Sequence, residues 1–211
     1  MNESPFIFPY FFLGGEDLVK KDKPKYKQII DAAVIVIAEN GYHQAQVSKI
    51  AKQAGVADGT IYLYFKNKED ILISVFQEKM AVFISNLEQI LAKDHSAAEK
   101  LKHMIESHFN LLAGDIHLAI VTQLELRQSS TDLRLKINNV LREYLKLLDQ
   151  ILIKGIENNE FDQEMDIRLA RQMVFGTMDE TITTWVMNEQ KYDLVELAPK
   201  VHHLLMKGMR A

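Results

Sequence analysis

The 211-residue sequence contains no cysteine, which removes disulfide frameworks, thiolate metal sites and cysteine nucleophiles and fits a reducing, cytoplasmic compartment. It has no apolar run of the roughly 20 residues that a membrane-spanning helix needs. Positive charge is not in excess either, and a formal net charge of −4 taken alone argues against a nucleic-acid partner. Catalytic signatures are missing: no Gly-x-Ser-x-Gly elbow, phosphate-binding glycine loop or His-Glu-x-x-His helix occurs. His103 and His108 lie off a shared helical face, and the adjacent His202 and His203 read as an exposed pair rather than a metal site. The sequence is therefore that of a non-enzyme with no metal or organic cofactor.

What is present starts with 47% hydrophobic residues, enough for a buried core. The charge is unevenly spread. Residues 20–70 hold nine Lys against six Asp or Glu, while residues 71–211 hold sixteen Lys or Arg against twenty acids. A basic segment can neutralise phosphates while an acidic remainder limits indiscriminate binding, so the asymmetry suggests a DNA-facing end. Residues 1–22 stand apart. Met1–Leu13 is apolar and aromatic, is interrupted by Pro5 and Pro9, and ends at Gly14-Gly15. Without a basic n-region or a small-residue cleavage site it is not a signal peptide. It is expected to be a translated leader, with Val19 as the alternative start, or a disordered arm.

From Lys23, the apolar residues Tyr26, Ile29, Ile30, Ala33, Val34 and Ile37 recur at helical spacing up to Asn40-Gly41. A short helix over Val47–Ala54 stops at Gly55, and a second is predicted from Asp58 to Phe65. Asn67 with Asp70 three residues on reads as an N-cap, opening a long helix to about Ala92. Helical spacing continues over 97–113, 116–128, 131–158, 166–188 and 193–210, with breaks near Gly114, Ser129-Ser130, Asn158-Asn159 and Asn188. The expectation from spacing is an all-α chain, with three helices over 23–67 and a larger helical part over 68–211.

The segment from Ile50 to Phe65 has the grammar of a helix-turn-helix. Ile50 and Ala51 face inward, Gly55 supplies the left-handed turn, and Val56 plugs the corner. Ile61 and Phe65 anchor the second helix, leaving Thr60, Tyr62, Leu63 and Tyr64 toward the groove or its phosphate rims. Gly59 permits close approach to the DNA backbone. Lys68 sits at a helix start that favours a phosphate, and Ser48, Lys49, Lys52 and Lys66 extend the polar rim. An aromatic-rich short helix can also be plain packing. The turn glycine, inward apolar residues, hydroxyls and flanking lysines at fixed offsets are more specific than any one of them.

At these residues the sequence resembles the TetR family of one-component regulators, whose motif runs Ile-Ala-x-x-Ala-Gly-Val-Ser-x-Gly-Thr-Ile-Tyr-x-Tyr-Phe-x-x-Lys. The likeness covers about residues 25–75. It departs at Ala57, where Ser is common, and at Ala45-Gln46, where the family has Thr-Thr, so that Gln46 or Ser48 must cap the first short helix or one contact is missing. The resemblance implies an N-terminal helix-turn-helix DNA-binding domain over 23–67 followed by a larger helical ligand-binding and dimerisation domain over 68–211. It also implies DNA-contact roles for Thr60, Tyr62, Tyr64 and Lys68, a double-stranded operator as partner, and a homodimer built on the helices at 166–188 and 193–210, where Gly176, Thr177, Thr181 and Thr184 allow close approach.

Further on, Ala119–Ser129 and Leu169–Trp185 resemble the acyl-CoA-responsive TetR-type repressors of fatty-acid degradation in Gram-positive bacteria. That implies a long-chain acyl-CoA effector, whose tail needs an apolar tunnel and whose phosphates need cations. Phe109, Leu112, Leu124, Met173, Phe175, Met178 and Trp185 are candidate walls, Arg127 and Arg171 candidate cations at the mouth, and Gln123 a candidate partner for a thioester or amide. Each apolar residue also reads as ordinary core, and each arginine as half of a surface ion pair. A sensor of hydrophobic cationic drugs, using Glu125 or Asp179, is the alternative; a structural adaptor is a third.

Overall fold

The computed structural model describes residues 24–125 and 131–210. The leader segment, Arg127 and the expected break at Ser129-Ser130 fall outside the described residues, which are helical with no strand among them. Pro24 opens helix α1 (Pro24–Asn40), a position where its missing N–H costs nothing. Besides the six stripe residues named above, Ala32 and Val36 are buried. The reason is that α1 is covered on two sides, by the next short helix and by body elements. Gly41, at φ +75°, turns the chain out of the helix.

Helix α2 (Val47–Gln53) ends in a Schellman turn: Val56 N–H reaches Ala51 O at 3.0 Å and Gly55 N–H reaches Lys52 O at 3.2 Å, with Gly55 at φ +65°. Helix α3 (Asp58–Ile61) is shorter than the spacing predicts. Beyond Ile61 the bonds tighten, Leu63 N–H to Thr60 O and Tyr64 N–H to Ile61 O, before Phe65 N–H returns to Ile61 O at 3.0 Å. Aromatic residues are poor helix formers, and a helix end commonly closes with such three-residue turns.

Asn67 caps helix α4 (Lys68–Leu91) by accepting the Asp70 N–H at 2.8 Å, while the Asp70 carboxylate accepts the Lys66 N–H at 2.9 Å. At about 1.5 Å per residue α4 is roughly 36 Å long. Its first turns, Ile71, Leu72 and Val75, are buried in the head, and Met80, Phe83, Leu87 and Ile90 are buried in the body. Helix α5 (Ala97–Gly114) starts from a Ser96–Glu99 capping box. Helix α6 (Ile116–Ile120) passes into a π-helical turn over Val121–Glu125, which spacing did not foresee. Helix α7 (Thr131–Glu157) lies against α4 and α5, helix α8 (Ile167–Met187) starts from an Asp166 N-cap, and helix α9 (Ala198–Met209) follows a short 3-10 turn and packs on α5 and α8.

Where α7 ends, Phe161 is fully buried against Gly155. A Cβ added to Gly155 would fall inside the Phe161 ring. Gly155→Ala is expected to destabilise the fold by about 2 kcal/mol through overpacking, despite the better helix propensity of alanine. Urea unfolding of the two proteins measures this, and equal midpoints would contradict it.

Candidate functional site

One candidate site lies in the head and a second in the body. In the head, Ile50, Ala51, Ile61 and Phe65 are buried, so the remaining faces of α2 and α3 look outward. Tyr62 and Leu63 are 59% and 68% exposed, large side chains that the fold leaves in water. Thr60 is half-buried, Ser48, Lys49, Gly59 and Lys66 are exposed, and a Cβ at Gly59 would meet open space. Tyr64 is different: its ring is half-buried, with Tyr26 and Phe65 each 6.3 Å away between centroids.

Two lysines are held within the head. Lys49 Nζ donates to Asn40 Oδ1 at 2.7 Å. Lys68 Nζ donates to His43 O at 3.0 Å and stands 4.7 Å from the Tyr42 ring centroid, and burial lowers its pKa. Its charge therefore also braces the turn between α1 and α2. Gln46 is the N-cap of α2 but makes no side-chain cap hydrogen bond, and Ala45 is buried. The departure from Thr-Thr thus leaves that helix start without a side-chain cap.

In the body, α4, α5, the π turn, α7 and α8 surround an apolar cavity of about 260 Å³. Of the residues expected as walls, Leu112, Gln123 and Phe175 line it. Phe109 and Met178 are fully buried in packed core, Leu124 packs against that core, and Trp185 is held by its Nε1–H donating to Tyr192 O at 2.8 Å. Met173 is 46% exposed and lines a separate outer groove with Gly176, Thr177 and Thr181. Arg171 is not at the cavity, because its guanidinium is paired with Asp149 of α7 at 2.7 Å. The arginine in the wall is Arg134, on one face of α7 with Ile137, Asn138 and Leu141. That i, i+3, i+4, i+7 spacing was visible in the sequence, but a polar residue at the edge of an apolar stripe looks the same when it faces water.

The cavity is polar near Gln123. With its nitrogen turned to α8, the Gln123 amide donates to the Asp179 carboxylate at 2.8 Å and to Thr183 Oγ1 at 2.9 Å. Glu125, two residues on, is not a cavity wall. Its buried carboxylate accepts the Tyr42 N–H at 2.6 Å, across from Gly41. The π turn therefore carries a cavity residue and a head contact two positions apart, and π-helical turns recur at functional positions. Sequence reasoning missed this link because the turn departs from the helical period.

At the other side of the cavity, His108 is buried among Phe83, at 4.7 Å between ring centroids, and Tyr144, whose hydroxyl is 2.8 Å from Nδ1. Of the paired histidines, His203 is exposed, whereas His202 is half-buried and 3.0 Å from Ala98 O.

A helix-turn-helix head carried on a helical body with an internal apolar cavity defines the one-component class of DNA-binding transcription regulators. Residues 29–75 match the model of the bacterial regulatory proteins of the tetR family, and residues 76–208 match the YsiA-like protein C-terminal region. The chain belongs to the TetR family of bacterial transcription regulators, and is not an enzyme. It is 65% identical, over 90% of its length and 98% of the relative's, to the fatty acid metabolism regulator protein of Bacillus subtilis. A crystal structure of FadR from Bacillus subtilis in complex with stearoyl-CoA matches with a TM-score of 0.85 at 67% identity, over 87% of this chain and 98% of that one. FadR from Bacillus halodurans, a fatty acid degradation regulator, matches with a TM-score of 0.85 at 63% identity, over 88% and 100%. No helix among the described residues is long and apolar enough to cross a membrane.

Burial pushes the His108 pKa down from 6.5 to about 4, so the ring is neutral at pH 7. Between those values the unfolded chain binds a proton that the folded chain does not, so this residue's share of stability is intact above pH 6.5 and is lost as pH falls toward 4. The whole shift is worth about 3 kcal/mol. Relative to wild type, His108→Phe should therefore gain stability as pH is lowered from 7 to 4.5, read by urea unfolding at each pH. A difference that does not change with pH would exclude a buried neutral imidazole.

Proposed function

We propose that this protein represses fatty-acid degradation genes by binding operator DNA through the domain at 23–67 and is released when long-chain acyl-CoA enters the domain at 68–211. The observation that carries the reading is an apolar body cavity with Arg134 and Gln123 among its walls, in a chain so similar to a FadR that was crystallised with stearoyl-CoA. An acyl chain suits the apolar walls, and a guanidinium and amides suit the phosphates and pantetheine of coenzyme A. Arg127 stays a candidate for the same charge. Exposure of Tyr62 and Leu63 supports their use in the major groove, with Thr60, Tyr64, Gly59, Ser48, Lys49, Lys66 and Lys68 at or near the backbone rims. A cytoplasmic location follows from such a role.

Affinity from so short a reading element requires two copies, and a homodimer is the natural source. The outer groove on α8, with Gly176, Thr177, Thr181 and Thr184, together with exposed Leu169 and Leu204, supports a dimer face on α8 and α9. Two heads must then meet major grooves about 34 Å apart. Ligand favours a dimer whose heads are spaced wrongly, and the transmission runs through α4, buried in both parts, and through the π turn.

The test is operator binding with and without stearoyl-CoA. It is expected to weaken operator affinity about tenfold or more, and a lipophilic cation is expected to leave it unchanged. Leu141→Trp, which fills the cavity, should keep DNA binding and lose the response. Release by the cation and not by stearoyl-CoA would replace the acyl-CoA reading with the drug-sensor one.

A further inference from the structure

His108 presents a polar atom to hydrocarbon. The residue is 8% exposed and is part of the cavity wall, together with Met80 and Phe83 of α4, Leu112 and Leu141. Its Nδ1 is 2.8 Å from the Tyr144 hydroxyl, and no described residue offers a partner to its other nitrogen, Nε2. Tyr144 is itself buried, and His108 Nδ1 is the hydrogen-bond partner of its hydroxyl among the described residues.

Hydrogen-bond accounting favours one tautomer. A phenol hydrogen without an acceptor is costly in a buried site, so the Tyr144 hydroxyl donates to Nδ1 and the imidazole proton resides on Nε2. Burial raises the phenol pKa and lowers that of the imidazole, which keeps both groups in these neutral forms. An N–H donor is thereby left at an apolar wall.

We propose that His108 Nε2–H is a specificity-determining donor that reads an oxygen atom on the acyl portion of the effector. The inference rests on the acyl-CoA reading and deepens it. A ligand that lays only methylene groups against Nε2–H strips its hydration and returns nothing, whereas one with an oxygen there replaces the lost hydrogen bond. Discrimination by a polar group left unpaired is far larger than discrimination by one methylene more or less. The oxygen can be the thioester carbonyl or a hydroxyl carried on the chain; both present the same acceptor.

The experiment is isothermal titration of the full-length protein with stearoyl-CoA, with its S-octadecyl thioether analogue, which lacks the carbonyl oxygen, and with 10-hydroxystearoyl-CoA. In wild type, one oxygen-bearing ligand is expected to bind about tenfold more tightly than its partner without that oxygen. Preference for stearoyl-CoA over the thioether identifies the carbonyl; preference for the hydroxyacyl-CoA over stearoyl-CoA identifies a chain oxygen. In His108→Phe that ratio should fall to about one, and the thioether, which no longer desolvates an unpaired donor, should bind at least as tightly as to wild type. Tyr144→Phe leaves the cavity shape intact and frees the tautomer, so it should reduce the same ratio, and it carries the test if His108→Phe lowers the melting temperature too far.

A ratio of one for both pairs in wild type, or a ratio unchanged in both variants, would overturn the proposal. Failure of wild type to bind any of the three, with binding of a lipophilic cation, would instead overturn the acyl-CoA reading and this inference with it.

Discussion

The head is coupled to the body through the carboxylate of Glu125, buried in the π turn and hydrogen-bonded to the Tyr42 N–H at 2.6 Å. A buried carboxylate needs such a partner, and here the partner belongs to the turn that joins α1 to α2. The same turn is held from the other side by Lys68 of α4, through His43 O and the Tyr42 ring. Head and body are further tied by Lys79 with Asp31 at 2.7 Å, and Lys136 of α7 holds Glu69 at the start of α4 at 3.0 Å, but such pairs at the surface contribute little. The buried contact and the two-sided burial of α1 make the head an extension of the body core. These packed groups connect the body to the reading element.

The cavity combines apolar and polar walls, as an amphipathic ligand requires. Gln123, Asp179, Arg134 and Asn138 are its polar walls, and Met80, Phe83, Leu112 and Leu141 are among its apolar ones. Gln123 sits in the same π turn as Glu125 and is tied to α8 through Asp179 and Thr183. A ligand that competes for the Gln123 amide acts on an element already bonded to the head. Coupling of this kind is reciprocal, so operator DNA disfavours the ligand by the same factor.

The head was legible in the sequence because its determinants are local. A glycine at φ +65°, an asparagine cap and apolar residues four apart state their own geometry. The walls of the cavity were legible in part. Leu112, Gln123 and Phe175 came together, but helical spacing reports which face is buried and not whether it meets a neighbour or a hollow, so Phe109, Met178 and Trp185 turned out to be packed core. Arg171 looked like a mouth cation until Asp149, on another helix, took it. The π turn depends on contacts from α1 and α8 that no local pattern announces.

The most direct test of the account is the ratio of operator affinities without and with saturating stearoyl-CoA, measured in wild type and in Glu125→Ala, with stearoyl-CoA binding measured alongside. Glu125→Ala is expected to bind both DNA and stearoyl-CoA while the ratio falls toward one. A wild-type ratio preserved in the variant would show that release does not run through the Glu125–Tyr42 contact and would contradict the account.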